Sequence, residues 1–128
     1  MPRHQYHPPR QPLLKTEDFE ELGIEIMKLR QCRSRRQLYR KFESFFGAWP
    51  FYCAILWNAL RRSRLLEKAP TARVNPRHLL MGLHFLKAYN TEERSAVTFG
   101  CDEKTFRQWA WFILSIIAKL ETKYVSHS

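Results

Sequence analysis

Two glycines, Gly47 and Gly100, each break a run in which apolar residues recur every third or fourth position. FFGAWPFYCAILW (45–57) and TFGCDEKTFRQWAWF (98–112) share one outline: an apolar run, a glycine, a short gap, another apolar run. In a chain with only four glycines, this placement constrains the fold more than any other feature. Glycine enters the left-handed conformation that ends a helix without the steric cost other residues carry. Each stretch is therefore expected to be two helices joined by a tight turn. The sequence carries no strand-like alternation, Asn-Gly hairpin or long β-branched cluster. The expected fold is all-α, a multi-helix bundle with two helix-turn-helix-like units.

The length of 128 residues suits one domain, or two small helical subdomains that share a core. Residues 1–15 combine four prolines with His and Arg and read as a flexible basic arm. Residues 16–67 form the expected N-terminal helical unit. Within it Thr16 is the expected N-cap, and Phe19, Leu22, Ile26 and Leu29 make an apolar stripe that Gly23 weakens. Leu38, Phe42 and Phe45 or Phe46 form the buried face of the next helix, which ends at Gly47. Pro50 suits the first turn of a third helix reaching about Leu66, with Ala54, Ile55, Trp57 and Leu60 inward. Residues 68–77 are a connector with two prolines. Residues 78–122 form a trihelical helix-turn-helix unit, and 123–128 a tail. In that unit 78–90 is apolar on nearly every side, as in a helix buried among others. Asn90 stops it, Thr91 starts a short helix over 92–99, and Asp102 caps the last helix. This last helix is expected to run to about Glu121 and to bury Phe106, Trp109, Ala110, Ile113, Ile117 and Leu120.

Charge points to the partner. Twenty-two Lys and Arg against twelve Asp and Glu leave +10, and the excess is uneven. From Lys28 to Arg77 thirteen basic residues stand against two acids, Glu43 and Glu67. Such a surface attracts polyanions, either nucleic acid or an acidic membrane. Its apolar runs are too short to span a bilayer, and the N-terminus has no apolar core for a secretory signal. Three isolated cysteines make no disulfide framework, so a soluble protein of a reducing, intracellular compartment is expected.

Ala96, Gly100 and Phe106 have the spacing of a helix-turn-helix: a small residue for close approach, the turn glycine, then an apolar pin, with Val97 and Phe99 beneath. In a DNA-binding unit of this kind the N-terminal part of the last helix enters the major groove. Its outward positions are Glu103, Lys104, Arg107, Gln108 and Trp111. Arg pairs with guanine and Gln with adenine in bidentate fashion. The competing reading makes Lys104, Arg107 and Gln108 a merely solvated face. Around Gly47 the match is poorer, with Glu43 at the small position and Cys53 at the apolar one, but the flanking charge is better. Arg33, Arg35, Arg36, Arg40 and Lys41 precede that turn and Arg61, Arg62 and Arg64 follow it. These would contact phosphates, which carry affinity without sequence choice. RQCRSRRQLYRK could equally be read by nuclear import machinery. Trp49, Trp57 and Trp109 are expected in the core and Trp111 at the surface.

NPRHLLMGLHFLKAYNTEERSAVTFGCDEKTFRQWAWFILSIIAKLE (75–121) resembles the N-terminal helical region of Harbinger-type (PIF-like) DDE transposases. FESFFGAWPFYCAILW (42–57) is similar to the same family's upstream stretch, and FGCDEKTFRQW is the most specific part. The resemblance covers about Lys41 to Glu121. It implies a helix-turn-helix region that binds transposon ends and precedes a nuclease domain with three metal-binding carboxylates. The sequence ends at Ser128, where the family continues into that catalytic core. Trp49 also stands where the family often has a small capping residue.

Other chemistry finds no support in the sequence. His78 and His84 lie six apart, not the three or four that align two ligands on a helix. Cys101 has no obvious base nearby, and there is no Gly-rich phosphate loop. The expectation is a nuclear, non-enzymatic DNA-binding module of a truncated Harbinger-type transposase, with no catalytic residues, metal, cofactor or small-molecule substrate. Its partners would be double-stranded DNA and a transposase or host protein, with the N-terminal arm adding a minor-groove contact. The alternative is a helical protein–protein adaptor whose basic patch serves nuclear import.

Overall fold

The computed structural model describes residues 11–30, 34–69, 73–88 and 92–125, with side chains as far as Thr122. Among them it has six α-helices and no strand. These are α1 (Thr16–Met27), α2 (Arg35–Phe46), α3 (Pro50–Arg62), α4 (Pro76–Ala88), α5 (Glu92–Phe99) and α6 (Glu103–Val125). A short 3-10 turn, Leu65–Lys68, follows α3.

Both glycine turns form as expected. Gly47 ends α2 at φ +78° and Gly100 ends α5 at φ +70°, the left-handed region where a side chain is strained. Pro50 takes the first position of α3. At α6 the Asp102 Oδ1 accepts the Thr105 backbone N–H at 2.7 Å. The cap of α1 differs from expectation. Lys15 holds the cap position, its backbone N–H donating to Asp18 Oδ2 at 2.7 Å, and Thr16 is the first helical residue. Asn90 and Thr91 lie outside the described residues.

One apolar core runs from Phe19, Phe42 and Trp57 in the first half to Leu79, Phe106 and Ile113 in the second. α4 lies at its centre, packed on α2, α3, α5 and most extensively on α6. Two glycines make close packing possible without any unusual backbone. A Cβ on Gly82 would lie 2.4 Å from Ile113 Cγ2, and one on Gly23 would lie 2.5 Å from Phe42 Cδ2. Gly23 is thus where α1 seats on α2, more than a weakness in α1. On α6 it is Ile116 that is buried, whereas Ile117, expected inward, is half-buried.

His84 joins the two turns. It is buried on α4, stacked on Phe45 with ring centroids 4.3 Å apart, and it also meets Phe46 and Phe99, the residues that immediately precede Gly47 and Gly100. Its Nδ1 lies 3.0 Å from the Phe45 carbonyl, which can only accept, so this nitrogen carries the proton. Nε2 is then a buried acceptor with no partner among the described residues, and burial holds the imidazole pKa below its ordinary value.

Residues 11–14, expected in the flexible arm, are instead laid across α3. Trp57 Nε1 donates to the Pro12 carbonyl at 3.2 Å, and Asn58 exchanges two hydrogen bonds with the Leu14 backbone at 2.9 and 3.0 Å. Arg61 donates to the Gln11 carbonyl, and Gln11 Nε2 reaches the Val74 carbonyl. Buried backbone groups need partners, and the polar edge of α3 supplies them. Residues 1–10, which carry the expected minor-groove contact, lie outside the described residues.

Candidate nucleic-acid interface

Four of the outward positions predicted on the last helix fall on one stripe of α6. Lys104, Arg107, Gln108 and Trp111 stand at helical spacings of three and four and are exposed. The opposite face buries Phe106, Trp109, Ala110 and Ile113 against α4 and α5. Ala96 and Phe99 are buried at the α5 side of the turn, as a close helix crossing requires. Val97, expected beneath the turn, is 72% exposed, because one residue step rotates it about 100° away from Ala96.

The stripe is not electropositive by itself. Arg107 Nε is paired with Glu92 Oε2 at 2.5 Å, and Glu93, Asp102 and Glu103 stand nearby in sequence. Asp102 is held below the ordinary carboxylate range by the Thr105 backbone N–H, so it stays anionic as a cap. Trp111 is 57% exposed, its ring 5.8 Å from Phe85. It presents an aromatic face beside the stripe. Trp109 is stacked flat on His78, with centroids 3.6 Å apart, and belongs to the core. Burial, and then the Arg77 charge, lower the His78 pKa to about 4.

The predicted phosphate contacts divide into exposed and engaged groups. Arg36, Arg40, Lys41, Arg62 and Arg64 are exposed. Arg35 is largely exposed but pairs with Glu20 at 3.4 Å, where the Tyr39 hydroxyl also donates at 2.9 Å. Arg61 is half-buried and holds the 11–14 segment, so it acts structurally. Arg33 lies outside the described residues. Arg35, Arg36, Arg40 and Tyr39 line a cleft of about 540 Å³ that ends at Trp49.

Trp49 corrects an expectation. Expected in the core, it is 42% exposed, its indole N–H donating to the Glu43 carboxylate. Ile55, expected inward on α3, is 57% exposed beside Tyr52 at 58%. The inward positions are Cys53, Ala54, Trp57 and Leu60. Along the outward face Trp49, Phe51, Tyr52, Ile55, Leu83 and Leu120 line an open groove of about 800 Å³. The sequence reading missed this groove. Its signal is that α3 has apolar residues on more than one face, more than a single core contact can bury.

Burial raises the Cys53 thiol to about 12, and burial together with Asp102 raises Cys101, so neither is a poised nucleophile. Among the described residues no three His, Cys, Asp or Glu side chains gather as a metal site, and no helix is long and apolar enough to cross a membrane. Comparison with family models, curated proteins and solved structures finds no match to this chain.

Proposed function

We propose that the chain is a helix-turn-helix DNA-binding module, without catalysis of its own, related to the N-terminal region of Harbinger-type transposases and working in the nucleus. The observation that carries this reading is the exposed stripe Lys104, Arg107, Gln108 and Trp111 on the helix after a left-handed glycine turn, with Ala96 and Phe106 buried beneath it. α6 enters the major groove, where Arg107 and Gln108 meet base edges. Because the stripe carries carboxylates of its own, affinity must come from elsewhere. Arg36, Arg40 and Lys41 of α2, with Arg62 and Arg64 after α3, supply phosphate contacts. Arg107 exchanges Glu92 for a base, at the modest cost typical of an exposed pair, about 0.2–1 kcal/mol.

The test is binding of the full chain to random-sequence duplex DNA across a salt series, followed by selection of the bound sequences. A steep salt slope with an enriched motif is expected. Arg107→Ala with Gln108→Ala should erase the motif while leaving most of the slope. Arg36→Ala with Arg40→Ala should shallow the slope by about two, at roughly 0.9 per phosphate contact. A slope without a motif reduces the protein to a phosphate-binding helical body. No binding at moderate salt overturns the DNA reading and leaves the protein–protein adaptor in its place.

A further inference from the structure

The groove on α3 and the arginine cleft on α2 are two halves of one surface. Both are lined by Glu43 and Trp49, so the apolar wall formed by Trp49, Phe51, Tyr52 and Ile55 runs directly into Arg35, Arg36 and Arg40. Lining positions 51, 52, 55, 56 and 59 follow one side of α3 for about two and a half turns. The facing wall is Leu83 of α4 and Leu120 of α6. Exposed aromatic side chains in such a contiguous patch mark an interaction site more often than chance solvent exposure.

The occupant follows from shape and charge. A concave apolar trough of this length accepts the apolar face of one amphipathic helix, with anchors at helical spacing. At the Trp49 end the helix meets three arginines, which calls for carboxylates. The 11–14 segment of this chain is already committed to α3 through Trp57 and Asn58, and residues 1–10 contain no Asp or Glu. Of the acidic helices a second copy could offer, α1 has its apolar face buried through Phe19 and Ile26, and α5, with Glu92 and Glu93 in its first turn, buries Ala96 and Phe99. A nucleic-acid backbone would have to lie along aromatic and aliphatic side chains beside Glu43. We propose that this surface binds an amphipathic helical segment of another protein, its apolar anchors in the α3 groove and its acidic end on Arg36 and Arg40. The apolar groove is separate from the α6 stripe and stands whether or not α6 reads DNA, while Arg36 and Arg40 are shared with the phosphate contacts proposed above, so an acidic helix and DNA would compete for them.

The probe is a displayed library of helical peptides about 16 residues long, long enough to span the groove and carry an acidic extension. It is selected on the full chain, and the enriched peptides are then measured in solution. Expected are peptides with apolar residues at i, i+4 and i+7 and Asp or Glu clustered at one end. Tyr52→Ser with Ile55→Ser, which leaves net charge unchanged, should weaken them at least tenfold while DNA binding persists. Arg36→Ala with Arg40→Ala, outside the apolar wall, should weaken them several-fold and flatten their salt dependence. Thermal melts establish that both variants fold.

Failure of any peptide to enrich overturns the proposal, as does enrichment that ignores both double variants. Peptides without an acidic cluster overturn the arginine half. Concentration-dependent dimerisation abolished by Tyr52→Ser/Ile55→Ser would assign the groove to a second copy. Binding to phosphatidylserine vesicles, or to single-stranded DNA, lost with the same pair would assign it to a membrane surface or to nucleic acid.

Discussion

α2–Gly47–α3 and α5–Gly100–α6 are built on the same local device and put it to different use. In each a glycine in the left-handed region ends one helix, and an aromatic residue just before it packs on His84. They part company at the helix that follows. After Gly100, α6 shows solvent a polar stripe with Trp111 and buries Phe106 and Trp109. After Gly47, α3 shows solvent Phe51, Tyr52 and Ile55 and keeps its arginines for its last turn. The first pair carries cations along its leading helix and again at the end of α3, while the second carries Arg94 on its leading helix and Lys104 and Arg107 on the exposed stripe of α6. The shared turn ends the first helix of each pair alike, but α6 packs back on α5 whereas α3 packs mainly on α1, and the residue choice on the second helix decides what each presents.

The largest effect expected from breaking this comparison lies in the residue that pins each second helix. Phe106 is fully buried, and Phe106→Ala should cost about 3–5 kcal/mol in chemical denaturation. Its counterpart Cys53 is equally buried but smaller, so Cys53→Ala should cost about 1–2 kcal/mol. Equal costs would mean that the two turns are pinned alike.

The turn glycines come next. Gly100 has open space where a Cβ would lie, so Gly100→Ala carries only the left-handed backbone penalty, about 1–2 kcal/mol. Gly47→Ala adds a 3.3 Å contact with Lys87 Cβ on α4 and should cost more. A Gly100→Ala variant less stable than Gly47→Ala would contradict the packing described.

The pH response tests the histidines of α4 that tie the pairs together. His78 and His84 both have folded pKa values below the unfolded one, so the unfolded chain binds the extra protons. Their stabilising effect is complete above about pH 6.5 and is lost as pH falls toward 4, the folded value of His78. The melting temperature should fall across that window. His78→Phe, which keeps a ring on Trp109, should flatten part of the decline, and an unchanged profile would remove His78 from the account. The smallest effect concerns the ion pair on the second unit. Glu92→Gln releases Arg107 and removes one carboxylate, and should tighten DNA binding a few-fold at low salt with stability changed by less than about 1 kcal/mol.

Much of this was legible residue by residue. Glycine at 47 and 100, proline at 50 and aspartate at 102 are local signals whose physics acts within a few residues, and all four occupy the expected roles. The exposed stripe on α6 was readable because its polar and apolar positions separate cleanly around the helix. α3 was not readable in that way. Apolar residues at 51, 52, 55 and 56 and at 53, 54, 57 and 60 offer two faces to a core that takes one. Gly23 reads from the sequence as a weak point in its helix, and only its distance to Phe42 makes it a contact point; Gly82 plays the same part against Ile113.

By itself the sequence determined that the described residues are all-helical, that helices end at Gly47 and Gly100 and begin after Trp49 and Asp102, and which side of α6 is polar. These depend on hydrogen bonding, backbone strain and periodicity over short spans. The sequence ran α3 on to about Leu66, where the structure ends it at Arg62, and began the fourth helix at 78, where the structure begins it at Pro76. Tertiary packing alone decided that Trp49 and Ile55 face outward, that Arg61 holds the 11–14 segment, and that Glu92 meets Arg107. Each of those outcomes depends on which helix arrives opposite, and a residue carries no record of its distant neighbour until the chain has folded.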